Sequence, residues 1–336
     1  MNNTVKKKNN CLNFFKGIAC IFVIIIHVRF PNYYVYGVFQ SCARFAVPLF
    51  FMISGYYAES KKHTQKAIHM AKICLGASVY WILFRYLMCF VGGNKQDLLS
   101  LTIELFAPAS WIRLLIFNVD PYIQLLWFLF SLLYCYLIFG FFRGIGKLNI
   151  LISLILPCLC LYFLIGNIIA PLGIIDIDLA YYRNAWLMGI PLFMIGYVLR
   201  KKRQAILGRL DKWINVPNII ICFLISIVEW CITGYRCQMH VGSIFAAALI
   251  VLYAEKYPER HCFKPISIIG EKYSLYIYIL HYSVYLCLDK AGEISGINKN
   301  IVFKCIQPIL VIFLSIMCAV FAENSIRFAV RMVKQN

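Results

Sequence analysis

Long apolar stretches, separated by short polar breaks, run through almost the whole chain of 336 residues. Each stretch holds roughly 17 to 25 mostly apolar residues, the length at which an α-helix crosses a hydrocarbon core of about 30 Å. The pattern predicts about ten transmembrane helices, and hence an all-α polytopic membrane protein in which residues 1–336 form a single integral-membrane domain. The approximate centres of these helices are Ile21, Phe50, Val79, Leu132, Ile155, Phe193, Leu224, Ala248, Ile279 and Phe313.

A further apolar piece, LTIELFAPASWIRLLIFNV, lies within the longest polar break, which we interpret as an external loop over about residues 93–121. Glu104, Pro108 and Arg113 interrupt this piece. Their presence favours a segment that lies in the membrane interface or re-enters the membrane over one that crosses it. Such a segment is expected to cover a cavity on the outer face.

The composition agrees with a membrane protein, because 62% of the residues are apolar and only 14% are charged, whereas soluble domains carry about 25% charged residues. The net charge of +19 first suggests nucleic acid, but with a cytoplasmic amino terminus 23 Lys and Arg residues fall on the cytoplasmic side and seven on the other. This asymmetry follows the positive-inside rule and predicts both termini in the cytoplasm. The basic excess is therefore expected to contact lipid headgroups, and nucleic acid is excluded as a partner.

Two ionisable residues lie in the first apolar segment, where Lys16 precedes His27 by eleven positions. On a helix this spacing is about 16 Å, so a lysine at the cytoplasmic headgroups places the histidine beyond the midplane. Burying an ionisable side chain there costs about 3 kcal/mol or more, which makes an intramembrane histidine a candidate for function. Neutral imidazole is a competent general base. The alternative is a histidine that hydrogen-bonds a neighbouring helix for packing.

Further cations lie near the same two depths. Arg44 begins the apolar run of the second span, and it needs an anionic or carbonyl partner there unless it snorkels to the outer headgroups. On the cytoplasmic side, Lys66 and Lys72 lead into the third span, with Lys61 and Lys62 before them. These lysines suit a phosphorylated ligand, although the positive-inside rule explains most of them equally well.

Several motifs occur in a fixed order along the chain, namely a basic residue separated by ten residues from a histidine, RFAVPLFFMISGYY, LLWFLFSLLYCY, IPLFMIGY and SLYIYILHYSVY. Together they resemble the membrane acyltransferase-3 family over nearly the whole chain. They are also similar to the membrane half of vancomycin-resistance-type serine racemases. The resemblance implies transfer of an acyl group, usually acetyl, from cytoplasmic acyl-coenzyme A to a hydroxyl of an extracytoplasmic glycan or cell-wall polymer. It implies no tightly bound cofactor and no metal.

The same resemblance implies roles for individual residues. The essential histidine of the family matches His27, and its basic partner matches Lys16, where lysine keeps the charge of the usual arginine but loses its bidentate fork. The arginine ahead of the FF-x-x-SG element matches Arg44, and either Arg44 or backbone donors near Ser54 and Gly55 are expected to stabilise the oxyanion. His27 is expected to deprotonate the acceptor hydroxyl or to form an acyl-histidine, and the sequence leaves both routes open. Lys72 matches the basic residue that opens the third span, and it is expected to hold the donor phosphates with Lys16 and Lys66.

Three aromatic residues are candidates for the acceptor side. Trp127 and Tyr278 offer rings that stack on sugar faces, and His281 offers a second imidazole for hydrogen bonds. Aromatic residues are abundant in this chain, however, and they also pack in cores or lie in the belt at the membrane interface. Both interpretations of these three residues stay open on the sequence alone.

Two functions of other classes also fit the residues. A transporter of a small solute such as serine, or of a glycan, needs intramembrane charges as well, although the chain lacks paired broken helices in two matching halves. A structural partner within a polysaccharide-export complex is the third hypothesis. For the acyltransferase we expect a multi-pass protein of the plasma membrane. Its expected partners are acyl-coenzyme A, the glycan acceptor, membrane lipids and polysaccharide-assembly proteins.

Overall fold

The computed structural model describes residues 9–59, 63–92, 95–119, 123, 125–234 and 237–335. These residues form α-helices with short π-helical and 3₁₀ turns, and no strand occurs among them. The α-helices in chain order are α1 (Asn10–His27), α2 (Tyr33–Ala43), α3 (Ala46–Tyr56), α4 (His63–Val91), α5 (Lys95–Phe106), α6 (Pro108–Phe117), α7 (Trp127–Gly144), α8 (Leu148–Ser153), α9 (Ile155–Phe163), α10 (Ala170–Leu172), α11 (Ile190–Lys201), α12 (Arg203–Leu210), α13 (Val216–Thr233), α14 (Val241–Lys256), α15 (Lys264–Ile268), α16 (Ser274–Ile294) and α17 (Ile301–Gln335). The prediction of an all-α polytopic membrane protein is confirmed.

The chain divides into two compact units. The first holds the residues up to Phe50, then Gln204–Tyr235, and then Met239 onward. The second holds Phe51–Arg203 together with Arg236–Gln238. The first unit therefore contains α1, α2 and α13 to α17, and the second contains α4 to α11, while the boundaries fall inside α3 and α12.

Each of the ten predicted centres lies in a helix. Among the described residues, seven helical segments are long and apolar enough to cross a membrane, and the bent pair of α5 and α6 would be an eighth. The centres at Phe193, Ala248 and Ile279 lie in α11, α14 and α16. These three helices are not among the segments that combine sufficient length with sufficient hydropathy. The number of crossings and the cytoplasmic position of both termini thus stay predictions. The seven segments are Asn10–His27, Tyr33–Tyr56, Thr64–Val91, Trp127–Gly144, Leu148–Leu172, Val216–Thr233 and Ile301–Phe328.

The apolar piece of the predicted external loop is bent in the middle. Helices α5 and α6 meet at 60°, because Pro108 opens α6 and the preceding Ala107 has extended backbone (φ −66°, ψ 125°). This bend is typical of a broken span or a re-entrant segment. Residues 93, 94, 120 and 121 of the predicted loop lie outside the described part of the chain.

Helix α1 has clear signals at both ends. Asn9 caps its start by accepting a hydrogen bond from the backbone N–H of Leu12 at 2.8 Å. The helix ends at His27 because Val28 turns to an extended conformation. Pro31 follows closely and disfavours further helix, and Asn32 then caps α2. The first histidine therefore stands at the end of its helix.

Helix α1 packs very closely against the segment that joins α15 to α16. That segment is a π-helical turn, Ile269–Tyr273. A Cβ on Gly17 would lie 2.1 Å from the backbone oxygen of Ile266, and a Cβ on Gly270 would lie 1.9 Å from the backbone oxygen of Asn13. Paired small residues of this kind let two membrane helices approach at backbone distance. Farther along, the core of the first unit is formed by Cys20, Ile24, Val28, Ile277, Val311 and Ala319.

Candidate functional site

Two histidines face each other in the first unit. The ring of His27, at the last position of α1, lies 5.2 Å from the ring of His281 in α16, measured between centroids, with 45° between their planes. The His27 ring also contacts the ring of Tyr282 at 5.7 Å. His27 is half-buried, whereas His281 is fully buried. The structure therefore brings together two residues that the sequence analysis singled out separately.

The protonation of His281 follows from its neighbours. Its Nδ1 lies 2.9 Å from the backbone oxygen of Ile277 and 2.9 Å from that of Tyr278. Carbonyl oxygens only accept hydrogen bonds, so we assign the proton of neutral His281 to Nδ1, which donates to them. The other ring nitrogen, Nε2, then carries a lone pair. It is buried and has no hydrogen-bond partner among the described residues.

The backbone next to His27 is held by α2. The hydroxyl of Tyr36 donates to the backbone oxygen of Ile26 at 3.0 Å, which satisfies one of the carbonyls that a helix leaves unpaired in its last turn. The guanidinium of Arg29 lies 5.9 Å from the centroid of the Tyr36 ring. This contact fixes the end of α1 and so limits where the imidazole of His27 can go.

Arg44 lies in the same unit and is buried, with 8% of its surface exposed. It stands between α2 and α3, and its backbone N–H donates to the oxygen of Gln40 at 3.1 Å. Its charge acts on Tyr36 and on the buried His240. The structure thus places a cation inside the first unit, near the residues that hold the end of α1. Its predicted role as an oxyanion stabiliser stays a prediction.

Lys16 lies in the first half of α1, about 16 Å from His27 along the helix axis. It is half-buried beside the close crossing of Gly17 and Gly270. Its ammonium interacts electrostatically with the carboxylate of Glu271, which belongs to the π-helical turn. One helix therefore carries a cation in its first half and an imidazole at its last residue.

The other two predicted donor residues belong to the second unit. Lys66 donates a hydrogen bond from its ammonium to the backbone oxygen of Tyr57. Lys72 lies on an exposed face of α4. Their neighbours Lys61 and Lys62 lie outside the described residues. The donor-binding role of Lys66 and Lys72 stays a prediction.

Trp127 begins α7 and is buried in the second unit. Its ring lies 5.3 Å from the guanidinium carbon of Arg183 and 6.4 Å from the ring of Phe51, measured to centroids. In the first unit, the ring of Tyr278 lies 6.2 Å from that of His281. The predicted acceptor-binding residues are thus held in aromatic clusters, and their contact with an acceptor stays a prediction.

Sequence reasoning missed Tyr282, Glu271 and His240. Tyr282 directly follows His281, so its place at the site could have been found once the histidine was chosen. Glu271 lies in a π-helical turn, which a single sequence does not distinguish from ordinary helix. His240 lies in a short polar break, where nothing in the sequence connects it with Arg44. Among the described residues, no three His, Cys, Asp or Glu side chains are grouped so as to hold a metal ion.

A family model described as Acyltransferase domain matches residues 9–322, which is nearly the whole chain. No curated protein matches the chain, and no solved structure matches it either. The match covers α1, with Lys16 and His27, and α16, with His281. The chain therefore belongs to the membrane acyltransferase-3 family, and the resemblance seen in its motifs is confirmed.

Proposed function

We propose that this member of the membrane acyltransferase-3 family transfers an acyl group, most simply acetyl, from cytoplasmic acyl-coenzyme A to a hydroxyl of an extracytoplasmic glycan or cell-wall polymer. The observation that carries the proposal is the His27–His281 pair. A half-buried imidazole next to a buried one is an arrangement suited to proton transfer in a water-poor site. Its place in a chain of this family points to the proton of an acceptor hydroxyl.

The donor is proposed to bind at the Lys16 end of α1. Coenzyme A carries phosphates, and an ammonium group binds phosphate through charge-assisted hydrogen bonds. The pantetheine arm is long and flexible, so the thioester can extend along α1 toward His27 while the phosphates stay near Lys16. Lys66 and Lys72 are proposed as further donor-binding residues on the resemblance of the chain to the family.

The chemistry at His27 follows from its role as a base. A ring nitrogen of His27 removes the proton of the acceptor hydroxyl, and the hydroxyl oxygen forms a bond to the thioester carbonyl carbon. The carbon–sulfur bond then breaks, and the departing thiolate takes the proton from the imidazolium. The products are the acyl ester of the acceptor and free coenzyme A, and the enzyme regains its starting state. Arg44 is proposed to stabilise the negative oxygen of the tetrahedral intermediate.

The acceptor is proposed to approach from the extracytoplasmic side, where the positive-inside rule places the His27 end of α1. The half-buried ring of Tyr278 is a candidate surface for a sugar face. Trp127, in the second unit, is a second candidate. The alternative is that Tyr278 and Trp127 belong to an aromatic belt at the membrane interface. Substitution of either residue by phenylalanine or leucine, with measurement of the acceptor KM, distinguishes acceptor binding from this alternative.

Replacement of His27 tests the proposal. The variants His27→Ala and His27→Gln, reconstituted in lipid, are expected to lose the release of free coenzyme A from acetyl-coenzyme A. Cells that express these variants are expected to lose acetylation of their surface glycan. A general base contributes about 100-fold to 10,000-fold in rate, so the loss should be at least 100-fold. His261→Ala is the matched control, because His261 is an exposed histidine in the same unit.

Two outcomes contradict the proposal. Retention of both signals in folded His27→Ala would remove the catalytic role of the imidazole. Unchanged acetylation combined with impaired uptake of a small solute would favour a transporter.

A further inference from the structure

We infer that His281 positions His27 by accepting a hydrogen bond on its Nε2, which selects one tautomer of His27 for catalysis. The inference rests on the proposed function, in which His27 is the base. It gives His281 a role that acts through His27, and it does not require contact between His281 and the acceptor.

The first step is that His281 is fixed. Its Nδ1–H donates to two carbonyls of its own helix at 2.9 Å each, and none of its surface is exposed. A buried imidazole held in this way has one orientation and one tautomer. Its free nitrogen is therefore a permanent hydrogen-bond acceptor.

The second step is that this acceptor needs a donor. A buried polar atom without a partner costs about 1–3 kcal/mol, and Nε2 of His281 has no partner among the described residues. Nδ1 is bonded to the backbone of α16, so Nε2 lies on the opposite side of the ring. The nearest ring outside its own helix for which the structure gives a contact is His27, 5.2 Å away between centroids.

The third step is that His27 can supply the donor. In neutral imidazole one ring nitrogen carries a proton and the other a lone pair. His27 is half-buried and stands at the end of its helix, and a small rotation of its ring, which lies 5.2 Å from that of His281 between centroids, would bring an N–H to Nε2 of His281. Catalytic hydrogen bonds are often long before substrate binds and shorten in the reactive complex.

The consequence for the reaction is a defined division of roles. When the N–H of His27 is bonded to His281, the other nitrogen of His27 holds the lone pair and faces the acceptor hydroxyl. After proton transfer, the same hydrogen bond stabilises the His27 imidazolium, and His281 stays neutral throughout. The buried carboxylate of a serine-protease triad positions its histidine in the same way.

The burial of His281 also favours a positioning role over direct binding of the acceptor. His281 is fully buried, whereas His27 and Tyr282 are only half-buried. A glycan hydroxyl therefore reaches His27 before it reaches His281. A residue that only positions the base should affect kcat, and a residue that binds the acceptor should affect KM.

Two substitutions of His281 test the roles of its two ring nitrogens separately. In His281→Asn the side-chain N–H takes the place of Nδ1–H and can still donate to the carbonyls of Ile277 and Tyr278, but no acceptor replaces Nε2. In His281→Gln the longer side chain can place an oxygen at the position of Nε2. We expect kcat to fall about 100-fold in His281→Asn, in line with the loss of an orienting hydrogen bond. We expect His281→Gln to stay within about 10-fold of the wild type, with KM of both substrates nearly unchanged.

The alternatives give different results. If His281→Asn keeps full kcat, the positioning role is wrong. If both variants raise the acceptor KM and leave kcat unchanged, His281 binds the acceptor. If neither variant folds, ¹⁵N spectra of histidine-labelled wild-type protein in lipid still decide, because a proton on Nε2 of His281 would overturn the inference. A wild-type protein that transfers no acyl group contradicts the proposed function, and the same spectra then test the histidine pair independently.

Discussion

Alanine in place of Gly17 is expected to push α1 away from the helix that carries Gly270. A Cβ on residue 17 would lie 2.1 Å from the backbone oxygen of Ile266 and 2.8 Å from its Cγ2. Ordinary van der Waals contact begins near 3.4 Å. The backbone oxygen cannot rotate away as a flexible side chain can, so the two helices must separate by roughly 1.3 Å.

A separation of that size weakens the whole crossing. A gap of about 0.5–1 Å already forfeits a quarter to a half of the dispersion energy between facing atoms. In lipid, close packing of small residues is a main source of helix association. Overpacking of a protein interior typically costs about 1–3 kcal/mol. We therefore expect Gly17→Ala to destabilise the protein by about 2–3 kcal/mol, in the upper part of that range.

Gly76→Ala in α4 is the matched control for this prediction. Among the described residues, no atom lies within 4 Å of a Cβ built on Gly76. Alanine has the higher helix propensity, so this variant should be neutral or more stable by up to about 1 kcal/mol. Thermal unfolding in one detergent, followed by tryptophan fluorescence, measures both variants. A Gly17→Ala protein that unfolds at the wild-type temperature would refute the close crossing.

Two further predictions concern the donor end of α1 and the second unit. Lys16→Met should raise the KM for acetyl-coenzyme A about 10-fold or more, the effect of one lost charge-assisted hydrogen bond. Lys272→Met is the control, at an exposed position of the adjacent π-helical turn, and it should change this KM little. If both variants raised the KM equally, the local positive charge alone would account for donor binding. Asn118 is buried with φ 61° and accepts from the N–H of Ala185 at 2.8 Å. Asn118→Ala should lower the free energy of unfolding by about 2–4 kcal/mol through an unpaired donor and strained backbone, whereas Asn118→Gly, which relieves only the strain, should lose less.

The positions of the helices could be predicted from the sequence because each depends on one local property, the length of an apolar run. The ten predicted centres therefore all fall within helices. The π-helical turns were not predictable, because a single extra residue per turn leaves no periodic signal. The break between α2 and α3 was not predictable because it spans only Arg44 and Phe45. Local composition sets where a helix lies, and packing sets where it is interrupted.

The candidate site was only half predictable for a related reason. His27 could be predicted because an ionisable residue in an apolar run is costly, and His281 because a second imidazole offers hydrogen bonds to an acceptor. Their contact depends on how α1 packs against α16, and that packing is decided by glycines at positions 17 and 270. Nothing in one sequence marks two distant glycines as partners. The lysines are a different case, because the positive-inside rule and phosphate binding predict the same residues on the same side.

The direction of α1 and α16 bears on the predicted external loop. Gly17 lies close to Gly270, and His27 lies close to His281, so residue numbers rise in the same direction on both helices. Helices that run parallel cross the membrane in the same sense, which requires an odd number of crossings between them. The second to the eighth predicted spans supply seven. A complete crossing by α5 and α6 would make eight and would reverse α16 relative to α1. The parallel pairing therefore supports the hypothesis that α5 and α6 enter the membrane interface and return to the side from which they came, in agreement with the distribution of basic residues.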